Sequence, residues 1–219
     1  CKYDLNNTHI IISFTSSGKY FSLLKNLGIK VYCLNVNFFS IFKFFYLIKL
    51  LRSLKPDIVQ TWLVHADFIG GITAYLAGIK NIIWNIRYSN FKIKKTKFTT
   101  VLIVKLLSKL YFFLPRLIIV VSKKAKKIYE IEGYDKKKLK FIPNGYDLSI
   151  LKPNSFQNIV FIKKNKIKKL IPLIGNVARY DPKKDHFNLL NALSIIRSKE
   201  INFVCFFVGS YIDKSNVKL

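Results

Sequence analysis

The sequence predicts an α/β protein built on parallel sheets, and three observations lead there. Short β-branched or aromatic runs alternate with amphipathic helical patterns almost from end to end. The strand-like runs are apolar throughout, as strands covered by helices are. Of the 219 residues, 51% are apolar, enough for a sizeable core and too many for a disordered chain.

In chain order, His9–Phe14 reads as the first strand, Gly18–Leu27 as a helix and Lys30–Leu34 as the second strand. Phe38–Leu54 is an amphipathic helix with Lys43, Tyr46, Lys49 and Ser53 on one side. Asp57–Thr61 is the third strand. It runs into a helix at Ala66–Ala77, whose Gly70, Gly71, Ala74 and Ala77 permit close packing on a sheet. Asn81–Ile86 follows as a strand. Lys97–Leu114 is the most apolar helix, but Lys105, Ser108 and Lys109 stripe one face and Pro115-Arg116 breaks the run. A spanning helix wants about 20 mostly apolar residues without such a stripe, so an amphipathic helix and the buried strand Leu117–Val121 are predicted instead. Ser122 reads as the N-cap of helix Lys123–Glu132, and Leu139–Ile142 as the next strand. Beyond them come strand Leu170–Val177, helix His186–Ser198 and strand Asn202–Val208. No internal repeat is present.

Pro143, Asn144-Gly145 and Pro153 mark a domain boundary, and "NSFQNIVFIKKNKIKK" after them reads as a connecting segment. The predicted domains are residues 1–152 and 153–219. With no Met anywhere and Cys1 first, the sequence reads as an internal piece of something longer. Cys1, Cys33 and Cys205 are odd in number and widely spaced, which argues against a disulfide framework or a zinc site and fits a reducing cytosol.

The formal net charge is +27. Nucleic acid, an anionic membrane surface or phosphorylated ligands each suit that excess. Five of the 38 basic residues are Arg (Arg52, Arg87, Arg116, Arg179, Arg197) and the rest are Lys, in a chain crowded with Asn, Ile, Phe and Tyr. Compositional drift on solvated faces therefore explains the scattered lysines. A basic nucleic-acid-binding module is the alternative reading, but the aromatics fall mostly in periodic apolar runs, which points to core.

Ligands of open α/β sheets bind at the carboxyl ends of the strands, so the residues after each strand are the candidates. His65 follows the third strand; it suits a general base or a donor to a hydroxyl or phosphate, and equally a histidine that satisfies the junction. Arg87 and Ser89 follow the fourth strand, with Arg87 suited to an anion or to a surface salt bridge. "IPLIGNVARYDPKKDHFNLLNAL", residues 171–193, is more specific. Gly175 suits close approach of backbone to a ligand. Arg179 offers a planar fork for phosphate oxygens, and Lys184 a mobile point charge. Asp185 is placed to cap the following helix, and two cations beside a helix start suit a diphosphate. An exposed basic loop is the competing reading.

"IGNVARYDPKKDHFNLLNAL" resembles the donor-site motif of family 4 glycosyltransferases, which have the two-domain GT-B fold. "VSKKAKKIYEIEGYDKKKLKFIPNGYDLSILKP" is similar to that family's interdomain passage, including its Pro-Asn-Gly-x-Asp turn (Asn144, Gly145, Asp147). "KPDIVQTWLVHADFIGGITAYLAGIKNIIWNIRYS" and "HIIISFTSSGKYFSLLKNLGIKVYCLNV" resemble its N-terminal domain in the same order. The resemblance spans nearly the whole chain. It implies a Rossmann-like acceptor-side domain followed by the start of a Rossmann-like nucleotide-sugar domain. It implies transfer of a sugar, with retention, from a nucleotide-diphosphate sugar bound in the interdomain cleft. No cofactor and no essential metal are implied. The acceptor would be a polysaccharide, lipopolysaccharide or lipid-linked glycan, and nucleic acid would be no partner. The location would be cytoplasmic, peripheral on the inner face of the cytoplasmic membrane. Arg179 and Lys184, with Gly175, match the diphosphate site; His65 matches the catalytic histidine; Arg87 lies where acceptor or phosphate contacts fall. The family's first strand and Gly-rich loop, and its paired-glutamate segment, have no counterpart here. The resemblance therefore implies an inactive or very weak piece, and a noncatalytic remnant is a further alternative.

Overall fold

The computed structural model describes residues 4, 6–36, 41–87, 98–167, 171–213 and 216. Among the described residues, eight strands and seven α-helices alternate in chain order: β1 Ile10–Ser13, α1 Phe21–Asn26, β2 Lys30–Cys33, α2 Ile41–Leu54, β3 Val59–Trp62, α3 Val64–Leu76, β4 Ile82–Ile86, α4 Phe98–Leu110, β5 Leu117–Val120, α5 Lys123–Ile131, β6 Leu139–Phe141, α6 Ser155–Lys164, β7 Leu173–Val177, α7 His186–Ser198 and β8 Val204–Val208. Every strand pairing among them is parallel. The chain divides into two compact units, Cys1–Gly145 and Tyr146–Leu219.

The first unit is organised by the four-stranded sheet β3-β4-β5-β6. Register places Thr61, Trp84, Ile118 and Leu139 in one row across it, and all four are buried. Such a row is the floor of a core, because side chains two apart along a strand share a face. Over this row α3 packs between α2 and α4. Close approach of α3 depends on its glycines. A Cβ on Gly70 would lie 3.1 Å from Thr61 Cγ2, and one on Gly71 would lie 2.9 Å from Trp84 Nε1. The small-residue stripe expected in this helix therefore meets the sheet where predicted. Gly78, at φ 89, closes α3 in the left-handed conformation that glycine alone adopts freely. Ser122 caps α5 by accepting from Ala125 N at 3.0 Å, as its position after β5 predicts.

β1 and β2 form a separate two-stranded sheet. A cavity of about 620 Å³ lies between β1 and β3, lined by Ile10, Ile12 and Phe14 on one side and Val59, Thr61 and Trp62 on the other.

In the second unit β7 pairs with β8, placing Gly175 opposite Phe206. One sequence expectation needs correction here. The segment read as a connector is helix α6; Asn154 caps it by accepting from Gln157 N at 3.0 Å, and Phe161 packs edge-on against Phe206 of β8. β7, Leu173–Val177, ends at Val177 as the strand reading Leu170–Val177 expects.

Candidate functional site

The carboxyl end of β3 carries the first group of candidates. Leu63, between β3 and α3, sits at φ 74 and ψ 155, a region that non-glycine residues occupy at a cost of about 1–3 kcal/mol. This strained corner turns the chain sharply into α3, so His65 lies in the first helical turn, exposed above the sheet. Arg87 leaves β4 alongside. Its Nε donates to Asn85 Oδ1 at 3.0 Å, and its Nη1 donates to Asn144 Oδ1 in the Pro-Asn-Gly turn. His65 and Arg87 line one cavity of about 250 Å³ together with Asp67, Trp84, Tyr129 and Tyr134. Ser89 lies outside the described residues.

Asp67 is a member that sequence reasoning missed. It is 2% exposed, and Thr61 Oγ1 donates to its Oδ1 at 2.5 Å. Burial pushes its carboxyl up to about 7, with the Thr61 hydroxyl pulling partly the other way. The phenol of Tyr134 is pushed above its ordinary range, first by burial and then by Asp67. Trp84 Nε1 has no hydrogen-bond partner and is buried in the same wall.

The Asp67 shift has a sign that can be tested. The folded chain holds the Asp67 proton more tightly than the unfolded chain, so this residue's contribution is most favourable at low pH. It is lost as pH rises from about 4 to about 7. The loss is at most about 4 kcal/mol for a shift of this size. In urea titrations, Asp67→Asn is therefore expected to gain stability relative to the parent on going from pH 5 to pH 8. A parent that gains on the variant over that interval would contradict the assignment.

The second group sits at the exits of β7 and β8. Past β7 the backbone stays laddered to β8: Ala178 N donates to Val208 O at 2.9 Å and Tyr180 N to Ser210 O at 2.9 Å. Between those bonds Arg179 passes over Gly209, where a Cβ would lie 2.1 Å from Ala178 O. A Cβ on Gly209 would thus collide with the neighbouring backbone, whereas one on Gly175 would meet nothing within 4 Å.

Asp181 organises the loop. Its Oδ2 accepts from Arg179 Nη2 at 2.9 Å and its Oδ1 from Lys183 N at 2.9 Å. The Lys183 amide and then the guanidinium hold its carboxyl below the usual range. Pro182–Lys184 forms a 3₁₀ turn, and Lys184 is exposed at its end. Asp185 does not cap α7. It adopts φ 50, ψ 52 and its side chain makes no capping bond, because the left-handed backbone turns the carboxylate away from the helix amides. His186, the first residue of α7, is buried between the rings of Tyr180 and Phe207 and fastens the loop to the sheet.

Asp147 accepts from Ser149 N at 3.0 Å and Ser149 Oγ at 2.5 Å, ordering the turn after Gly145. Cys33 and Cys205 are free thiols. Among the described residues, no three His, Cys, Asp or Glu side chains gather as metal ligands, and no helix is long and apolar enough to cross a membrane.

Parallel α/β units with candidate groups at the carboxyl ends of their strands define a Rossmann-like protein of the GT-B glycosyltransferase type. The sequence profile described as Glycosyltransferase Family 4 matches residues 7–150, and the chain belongs to that family. Among solved structures, it is similar to a glycosyltransferase from Rickettsia africae ESF-5, with TM-score 0.72 and 22% identity over 97% of this chain and 55% of that one. Anabaena Alr3699/HepE, crystallised with UDP-glucose, superposes with TM-score 0.71 and 14% identity over 92% of this chain and 61% of that one. The lipopolysaccharide outer core galactosyltransferase WaaB in its apo form gives TM-score 0.52 and 12% identity, covering 92% and 68%. The chain thus spans about three-fifths of the HepE chain. A comparison with curated protein sequences returns no match.

Proposed function

We propose that this chain carries part of a retaining glycosyltransferase that moves a sugar from a nucleoside-diphosphate sugar to a polysaccharide, lipopolysaccharide or lipid-linked acceptor. The observation that carries the reading is the loop after β7, where Arg179 stands on Asp181 and Lys184 ends an adjacent turn. A guanidinium and an ammonium held at the exit of a parallel strand suit two linked phosphates. When the bond to the donor sugar breaks, negative charge grows on the departing diphosphate, and fixed cations lower the barrier by meeting that charge.

On the first unit, His65 serves the reacting sugar and Arg87 the acceptor or a phosphate. Asn85 and Asn144 hold the Arg87 side chain between them, which limits the freedom it loses on binding. Membership of the family supports this reading, as do the HepE structures with UDP-glucose and with UDP. The chemistry asks for no metal, because the cations supply the counter-charge. The 219-residue chain alone is inactive or very weak, and the enzyme of which it is part works in the cytoplasm beside the inner membrane face.

Saturation-transfer NMR against a panel of nucleoside-diphosphate sugars tests the reading. Transfer to at least one donor, and none to the free sugars, is the expected result. No transfer to any donor would sink it.

A further inference from the structure

We propose that the cavity beside His65 is an ammonium-binding site, which receives a positively charged amino group carried by the acceptor. The proposal deepens the reading above and rests on it for the acceptor's part; the site itself stands on its own geometry.

The cavity has a mouth and a floor. His65 and Arg87 line it and are exposed, whereas Asp67, Trp84, Tyr129 and Tyr134 line it and are buried. The floor is therefore one carboxyl group among three aromatic rings. Tyr129 and Tyr134 meet edge to face, with ring centroids 5.1 Å apart. Asp67 lies near enough to Tyr134 to help push its phenol up.

Asp67 lacks a counter-charge. The chain has 38 Lys and Arg against 11 Asp and Glu, yet among the described residues no cation forms an ion pair with Asp67. Thr61 donates to Oδ1, and no donor among those residues reaches Oδ2. A buried carboxylate is costly until a cation joins it, so burial alone pushes this carboxyl up to about 7. A ligand can bring the missing cation.

The walls select which cation. A hard metal ion wants several oxygen ligands, and the floor offers one carboxyl group. A neutral hydroxyl would leave the charge uncompensated. An alkylammonium makes a charge-assisted bond to the carboxylate and lies against aromatic faces, which attract cations. At about 250 Å³ the cavity is smaller than the usual pocket for a whole ligand, so it suits a substituent rather than a complete saccharide. Arg87, held by the neutral Asn85 and Asn144 side chains, suits a phosphate or carboxylate on the same molecule. With its amino group on the floor, the acceptor extends past His65, where the reacting sugar is served. An amino sugar and an aminoethyl phosphate substituent both present this group.

Saturation-transfer NMR titrations of the chain with ethanolamine, 2-aminoethyl phosphate and methyl glucosaminide, and with the N-acetylated form of each, test the site. The amines should bind, and their acetylated forms at least about tenfold more weakly, because acetylation removes the charge. Asp67→Asn keeps the shape and removes the carboxylate, so it should weaken ethanolamine at least about tenfold while donor binding survives. In the parent, ethanolamine affinity should rise about tenfold from pH 6 to pH 8, as Asp67 loses its proton. Ethanolamine, an amine of the Lys type, stays charged over this range. In Asp67→Asn the profile should be flat. The other ionisable groups facing the cavity are His65, Arg87, Tyr129 and Tyr134, and α4 contributes none. A rise with pH that survives Asp67→Asn and vanishes in His65→Gln would overturn the assignment. So would equal binding of the amines and their acetylated forms, a comparison that decides even if Asp67→Asn does not fold. Tighter binding of 2-aminoethyl phosphate than of methyl glucosaminide would place the amino group on a phosphorylated substituent, and the reverse order on an amino sugar. Ethanolamine binding without any donor binding would overturn the transferase reading and leave the ammonium site standing; donor binding without ethanolamine binding would do the reverse.

Discussion

Arg179→Ala will weaken binding of a nucleoside-diphosphate sugar by about a hundredfold, or about 2.8 kcal/mol, while leaving the fold intact. The side chain is exposed, with Asp181 as its recorded ion-pair partner, so its removal opens no cavity. What it removes is a charged fork that a diphosphate cannot replace with water at equal strength. Arg179→Lys should fall between parent and alanine, because the charge remains and the two-point geometry does not. The loss should shrink at high salt, since the loop is open to counter-ions. Calorimetric titration of the donor found by NMR reads all three effects. Equal affinity in the parent and Arg179→Ala would remove the residue from the site.

Gly209→Ala will destabilise the second unit by about 3 kcal/mol, because the new methyl group lands on backbone rather than on a movable side chain. Its Cβ would lie 2.1 Å from Ala178 O, 2.5 Å from Ala178 C and 2.9 Å from Arg179 N. Relief requires the ladder beyond β7 to part, and the bonds Ala178–Val208 and Tyr180–Ser210 flank the collision. The backbone that moves is the segment bearing Arg179. Chains that still fold should therefore also bind donor more weakly, although residue 209 itself contributes no side chain to the loop. A thermal melt lowered by roughly 6–12 °C is the expected readout. Gly175→Ala is the control: open space surrounds that position, and its effect should be small. Equal melting of the two variants would contradict the packing described.

Most strands and helices were legible because βα alternation writes two periods into the sequence, and apolar runs bounded by turn formers need no tertiary information. α6 was missed for a physical reason. Its Phe156, Ile159 and Val160 share one helical face, but Lys163 falls on that face and Phe161 and Ile162 fall opposite it, so no polar face separates from an apolar one, although Asn154 and Gln157 stand at capping distance. His65 and Arg87 were found from their place after strands, and they do share a cavity. Asp67 was overlooked beside the more conspicuous histidine. Its signal was periodic: Asp67, Gly70, Gly71 and Ala74 share the stripe that faces the sheet, and a carboxylate on such a stripe is buried. Gly209 and Asp181 could not be ranked from sequence, because each acts through a segment whose position depends on the pairing of β7 with β8. Asp185 failed as a cap through its backbone angle, which residue type alone does not set.

Phosphorus NMR tests the central claim most directly, because it observes the two phosphates themselves. A nucleoside diphosphate would be titrated with the parent chain and with Arg179→Ala/Lys184→Ala, both confirmed as folded. The account predicts that both phosphorus lines shift and broaden with the parent and stay at their free positions with the double variant. Lines that respond equally to the two proteins would show that the diphosphate is held elsewhere.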